Sequence, residues 1–332
     1  MKMSEFQHKH TAHCESGVMA SLLSHNGLAL SEAMVFGLSG AMAFAYLPFV
    51  KMGGMPLVTY RMMPKAIIRG LQKNIDLKMR MLTFSDPEDG TKRLDGLLEK
   101  GKIVGVQAAI YWLPYFPEEM RFHFNAHNLI VYGKEGQKYL ISDPVFQHVV
   151  TAQVEDLEKA RFNKGVMAPK GLIYCPEAMP EEIDFGTVIP RTIKKTAKFM
   201  LKTPVPIVGI RGIRFLARSI RKLSGKDQRK AKMFLGHIVR MQEEIGTGGA
   251  GFRYIYASYL DEASSLLGRQ ELFEASEMMT EVGDRWREFA LESVKSIRHK
   301  RVEPIDYDKL ATLLDMIADG EADVYRRLLK AF

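Results

Sequence analysis

The chain is poor in cysteine, with two residues in 332, Cys14 and Cys175. That excludes a disulfide-stapled secreted scaffold. The expectation is a reducing, cytoplasmic setting in which each thiol is either core filler or reactive. The N-terminus, MKMSEFQHKHTAHC, lacks the apolar stretch of a signal peptide. Long hydrophobic runs are scarce as well. One uncharged stretch, Ala33 to Val50, reaches 18 residues, the lower edge for a membrane span. It contains Gly37, Ser39, Gly40 and Pro48, so a buried core helix is expected there, over about residues 31–45. Internal repeats and low-complexity tracts are absent. With 46% hydrophobic and 26% charged residues the chain is globular rather than disordered. Its length suggests about two domains.

Charge of one sign is lacking nearly everywhere except in one place. The total is 47 Lys and Arg against 39 Asp and Glu. Arg191 to Lys232 holds 14 of the cations and one acid, Asp227, which leaves a mildly acidic remainder of 33 against 38. Within this segment Ile210, Ile213, Leu216, Ala217 and Ile220 share one helical side, and Arg211, Arg214, Arg218 and Arg221 share another. Three readings stand side by side: a docking face for an acidic partner protein, an interfacial helix on anionic lipid, and a solvated linker. A nucleic-acid reading lacks any accompanying binding motif.

Along the chain, residues 14–25 read as a helix stopped by Asn26-Gly27, and residues 61–81 as a cationic helix with Met62, Met63, Ile67, Ile68 and Leu71 as its apolar side. Strand signals begin after Gly101: IVGVQAAIYWLPY, then HNLIVYG and KYLISD flanking a KEGQ turn, then a helix at VEDLEKARF and the strand GLIYC. From Met233 onward every segment reads as helix. The fold class expected is α+β followed by an all-α domain. The expected division is a catalytic domain over 1–185, a basic amphipathic connector over 186–233 and a helical domain over 234–332.

Cys14 opens a predicted helix, where free N–H groups and the positive end of the helix dipole favour a thiolate and can hold an oxyanion. A nucleophilic thiol needs a base and the base an orienting group. If the hairpin turn is centred on Glu135, His127 and Asp143 lie eight residues to either side and face each other across the ladder, on the face shared by Leu129, Val131, Tyr139 and Ile141. An Asp before Pro144 also ends strands for purely local reasons. Other constellations are weaker. His8, His10 and His13 with Cys14 match no standard zinc spacing. His123 and His127 have the zincin spacing, but Phe124 occupies the position of the required Glu. Cys175 lies in an apolar strand and reads as core. Eleven of the 20 Met residues fall within 1–81, either as an adaptable acyl-chain pocket or as ordinary core.

The run F-x-H-x-H-x-x-H-C-E-S-G from Phe6 to Gly17, LSEAMVFGLSGAMAF, Leu113 to Tyr115, AHNLIVYG and ISDP together resemble the N-terminal domain of the butirosin biosynthesis protein H family. GTGGAGFRYIYASYLDEA resembles the helical domain that often follows it. The resemblance implies a papain-like, peptidase-type cysteine fold and acyl transfer from an acyl carrier protein to an amine, the characterised acceptor being an aminoglycoside. It implies Cys14 as nucleophile, His127 as base and Asp143 as orienting residue. No cofactor is bound, since the carrier brings its own phosphopantetheine thioester. Papain-like enzymes place an oxyanion Gln six residues before the Cys; here His8 stands there beside Gln7. The expected donors are therefore the Cys14 N–H with Gln7 or His8. The acceptor is expected to be an amine or hydroxyl compound. The Met content and the basic segment favour a lipophilic acyl chain, a lipid acceptor and peripheral contact with the inner face of a membrane. A cysteine hydrolase and a non-enzymatic membrane scaffold are the alternatives.

Overall fold

The computed structural model describes residues 6–52, 54–225, 227–245, 247–298 and 305–332. The chain forms two compact units. The first comprises residues 1–35 and 67–183, the second residues 36–66 and 184–332. This corrects the expected division: the second unit takes a segment from the N-terminal third of the chain, and residues 186–233 are not a connector.

In the first unit, helix α1 (Cys14–His25) comes first, followed by the start of α2 (Glu32–Ser39). Then come α3 (Ala66–Asn74), β3 (Lys78–Leu82), α4 (Pro87–Leu98), β4 (Val104–Ala108), β5 (His127–Glu135), β6 (Lys138–Ser142), β7 (Val150–Gln153), α5 (Val154–Arg161) and β8 (Ile173–Ala178). The strands make one antiparallel sheet of order β3-β8-β4-β5-β6-β7. Leu94 and Leu97 of α4, Val104 and Val106 of β4, Leu129 and Val131 of β5, Ile141 of β6 and Leu157 of α5 form its core. Each fully buried side chain of this size contributes about 1.5–3 kcal/mol.

The second unit starts with the hairpin β1 (Met42–Met52) and β2 (Met55–Arg61) and continues with α6 (Phe185–Lys202), α7 (Gly209–Arg221), α8 (Gln228–Glu243), α9 (Arg253–Leu267), α10 (Gln270–Arg298) and α11 (Tyr307–Lys330). The amphipathic reading of α7 fits its packing: Ile210, Ile213, Leu216, Ala217 and Ile220 are all buried.

Two expected helices are corrected. The uncharged stretch is not one helix: α2 ends at Ser39, Gly40 takes φ +70°, and the chain leaves as strand β1. A left-handed residue ends helical hydrogen bonding, and the aromatic Phe44 and Tyr46 that follow suit a strand. The only helix within residues 61–81 is the nine-residue α3, bounded by Lys65 and Asp76 at φ 72° and 53°, and the segment ends in strand β3. Met62 and Met63 precede α3. Among the described residues no helix is long and apolar enough to cross a membrane.

Candidate active site

The first turn of α1 is held by residues of the HCESG run and by Glu32. His13 caps it, its Nδ1 accepting from the Ser16 N–H at 3.3 Å. The Glu32 carboxylate accepts from the Ala12 N–H (2.9 Å), the His13 N–H (2.8 Å) and the Ser16 hydroxyl (2.8 Å). Desolvation pushes the Glu32 carboxyl upward, against the hydrogen bonds that favour its charged form. Glu15, fully buried, accepts from the Ile67 N–H at 3.1 Å and so holds the start of α3. Gly17 leaves no room for a side chain: a Cβ there would stand 1.9 Å from Thr11 Oγ1 and 2.9 Å from Pro144 Cβ. The Thr11 N–H in turn donates to the Pro144 carbonyl at 2.7 Å, so the turn before Cys14 is stitched to the residue after Asp143. Gly17→Ala is therefore expected to destabilise the protein by about 1–3 kcal/mol and to slow iodoacetamide labelling of Cys14. Unchanged melting and labelling would show that the contact is slack.

The hairpin register differs from a turn centred on Glu135. Glu135 pairs with Lys138, so the turn is Gly136-Gln137, and Gly133 pairs with Leu140. Continued unbroken, that register would put Asp143 opposite Ile130, on the wrong face for His127. A shift between Val131 and Gly133 corrects this, and beyond it Val131 pairs with Ile141 and Ile130 with Ser142. Asp143 thus comes to lie beside Leu129, two residues from His127 on the same face, and the contact is diagonal rather than directly opposed. Bulges re-aim side chains in this way. The result is a 2.7 Å hydrogen bond between His127 Nε2 and Asp143 Oδ2.

Cys14, His127 and Asp143 are all buried, and Cys14 lies close enough to His127 to favour its charged form. With Nε2 committed to Asp143, Nδ1 is the ring nitrogen left for the sulfur. Burial opposes charge on His127, but the Asp143 carboxylate and the Cys14 thiolate outweigh it, and its pKa is pushed up to about 10. The Tyr115 hydroxyl donates to Asp143 Oδ2 at 2.9 Å and the Val145 N–H to Oδ1 at 3.3 Å. Burial and the adjacent carboxylate push the Tyr115 phenol well up, so it remains a donor. Phe116 meets the imidazole edge-on at 5.4 Å. Asn128 also approaches the sulfur, its Nδ2 3.9 Å from Cys14 Sγ.

Other residues picked out in the sequence are placed elsewhere. Both nitrogens of His8 are engaged, Nδ1 with Ser142 Oγ at 2.7 Å and Nε2 with the Phe146 carbonyl at 3.0 Å, and Gln7 is exposed. The expected Gln7 or His8 oxyanion donor is therefore corrected: the ring of His8 fastens the N-terminal segment to the loop after β6. His123 stacks on Tyr111 at 4.3 Å. Cys175 is buried in β8, and burial raises its thiol. Met19, Met34, Met42 and Met79 are buried in the cores.

Of the four arginines of α7, two are balanced by acids of the same unit and two are exposed without an acidic partner among the described residues. Arg214 pairs with Asp319 of α11, and Arg221 with both Asp308 and Asp315. Arg211 donates to the Pro204 carbonyl, and Arg218 lies over the Phe215 ring. The apolar side of the helix is consumed inside its own unit, so an interfacial helix on lipid has nothing left to insert.

A thiol at a helix start, an imidazole near it, a carboxylate behind the imidazole and an antiparallel sheet carrying the last two make an arrangement suited to nucleophilic thiol chemistry. Residues 13–144 match the family model "Butirosin biosynthesis protein H, N-terminal", and residues 155–328 match "Domain of unknown function (DUF4872)". The chain belongs to the DUF4872 family, and the region ahead of that match is similar to the butirosin biosynthesis protein H N-terminal domain. It is also similar to the solved structure of a Bacillus anthracis protein described as a C39-like peptidase, at 15% identity and a TM-score of 0.38, over 54% of this chain and 98% of that chain. No curated protein matches the sequence.

Proposed function

We propose that the protein is an acyltransferase that takes an acyl group from an acyl carrier protein and passes it, through Cys14, to an amine or hydroxyl acceptor. The observation behind this reading is the His127 imidazole held between Cys14 and Asp143. In the first half-reaction the Cys14 thiolate attacks the carrier thioester carbonyl. The new S–C bond forms, the bond to the phosphopantetheine sulfur breaks, and the departing thiolate takes the proton of the His127 imidazolium. In the second, the acceptor attacks the acyl-Cys14 carbonyl while neutral His127 takes its proton. The amide or ester forms and the Cys14 thiolate leaves. Asp143 keeps the ring oriented and balances its charge throughout. The phosphopantetheine belongs to the carrier.

Water in place of the acceptor would make the same site a hydrolase. The test is to incubate the protein with acyl-loaded carrier and measure its intact mass. One acyl increment is expected, discharged into an amide when an amine is added. Absence of any increment would remove the donor reading. Free acid as the sole product, with amine present, would favour the hydrolase.

A further inference from the structure

Resting on the thiol mechanism above, we infer that Asn128 is the side-chain donor to the oxyanion formed during acylation of Cys14, and that Tyr174 is the positioning residue that aims it. An acyl-transfer site needs two donors converging on the carbonyl oxygen as it becomes anionic. The Cys14 N–H supplies one, because the first N–H groups of a helix have no partner within it. The side-chain donor expected from the N-terminal segment is not there, since His8 is occupied and Gln7 is exposed.

Asn128 meets the requirements that those residues fail. It is buried and follows His127 directly in β5. Its Nδ2 donates one hydrogen to the Ala126 carbonyl at 3.1 Å and directs the other at Cys14 Sγ from 3.9 Å. That distance is long for a hydrogen bond to sulfur. It suits an oxygen on the carbon bonded to that sulfur, which a donor must approach to about 2.7–3.1 Å. The amide cannot turn round without loss. Its Oδ1 accepts from the Tyr174 hydroxyl at 2.9 Å, and a flipped amide would set its oxygen against the Ala126 carbonyl oxygen. The Tyr174 phenol is itself fully buried and pushed well up by burial, so it stays a donor. The strand order explains how the pair meets: β4 lies between β5 and β8, and Gly105 of β4 has no side chain. A Cβ on Gly105 would lie 2.3 Å from the Tyr174 ring, so the glycine opens the passage by which the phenol reaches Asn128.

The reagents that separate this role from a structural one are p-nitrophenyl acetate, which acylates a thiol through an oxyanion, and iodoacetamide, which alkylates it without one. Asn128→Ala is expected to acylate about 10²–10³-fold more slowly while alkylating within about threefold of wild type. Tyr174→Phe is expected to lose about tenfold in acylation, close to the cost of one neutral hydrogen bond, with alkylation again unchanged. Equal acylation by wild type and Asn128→Ala overturns the assignment. So does a parallel fall in both reactions, which would mark Asn128 as a packing residue, and so does a wild type that the ester fails to acylate. If the ester acylates Cys14 but loaded carrier does not, the carrier reading fails and the assignment of Asn128 stands.

Discussion

On the proposed mechanism, replacement of Cys14 by Ala is expected to abolish acyl transfer, with a fall in turnover on the order of 10⁶-fold, because Cys14 is the group that would carry the acyl chain between donor and acceptor. Asp143→Asn is expected to cost about 10⁴-fold. The loss at Asp143 comes through His127. In the wild type Asp143 Oδ2 accepts from both His127 Nε2 and the Tyr115 hydroxyl. An amide cannot match both donors with a single negative oxygen, and the charge that holds the imidazolium is gone. The pH dependence follows. His127 has its pKa raised from 6.5 to about 10, so the imidazolium that protonates the leaving thiolate persists through neutral pH and disappears as the pH rises through about 10. Its contribution to folding has the same sign, being complete below 6.5 and lost as the pH climbs through about 10. In Asp143→Asn the alkaline limb of single-turnover acylation should move down in pH. Single-turnover acylation followed by mass across pH 6–11 measures all three. Residual transfer by Cys14→Ala, or an Asp143→Asn profile identical to wild type, would remove the proposed roles.

What the sequence made legible was periodic or local. The start of α1 at Cys14, the β5–β6 hairpin and the buried stripe of α7 each show a hydrophobic period or a turn signal. His127 and Asp143 could be placed on one face because parity survives a two-residue error, although the turn is Gly136-Gln137 and a strand shift restores the register. Where the period vanishes, the reading fails. Ala33 to Val50 is apolar on all sides, so helix and strand look alike, and only the backbone at Gly40 reveals the switch. The membership of residues 36–66 in the second unit depends on contacts remote in sequence, which no local pattern encodes. Glu32, Asn128 and Tyr174 escaped notice for a related reason: single buried polar residues carry no spacing. The charge of Arg214 and Arg221 was visible, but not the aspartates of α11 that balance it.

Arg253→Met is expected to destabilise the second unit by about 3–5 kcal/mol, the usual cost of breaking a buried ion pair by removing one partner. Arg253 and Glu321 are both fully buried and joined in two places, Nε to Oε1 at 2.8 Å and Nη2 to Oε2 at 3.1 Å. The Trp286 indole also donates to Glu321 at 2.8 Å. The same guanidinium donates to the Gly251 carbonyl at 2.6 Å, and this second role bears on the glycine-rich turn at residues 248–252. Residues 248–252 all take positive φ, including Ala250 at 49° and Phe252 at 71°. Left-handed backbone costs a residue with a Cβ about 1–2 kcal/mol. It is held here by Arg253 on one side and by Glu243, which accepts from the Ala250 N–H, on the other. Gly251 has a further constraint, since a Cβ would stand 2.3 Å from the Tyr60 ring. Trp286 is buried in this unit, and Trp112 is the one other tryptophan in the chain. Denaturant unfolding followed by tryptophan fluorescence in a Trp112→Phe background therefore reads this core. Arg253→Met with Glu321→Leu should recover part of the loss, because no buried charge is left unpaired. A double variant as unstable as the single one would assign the loss to the left-handed turn, and a loss below about 1 kcal/mol would show that neither role matters.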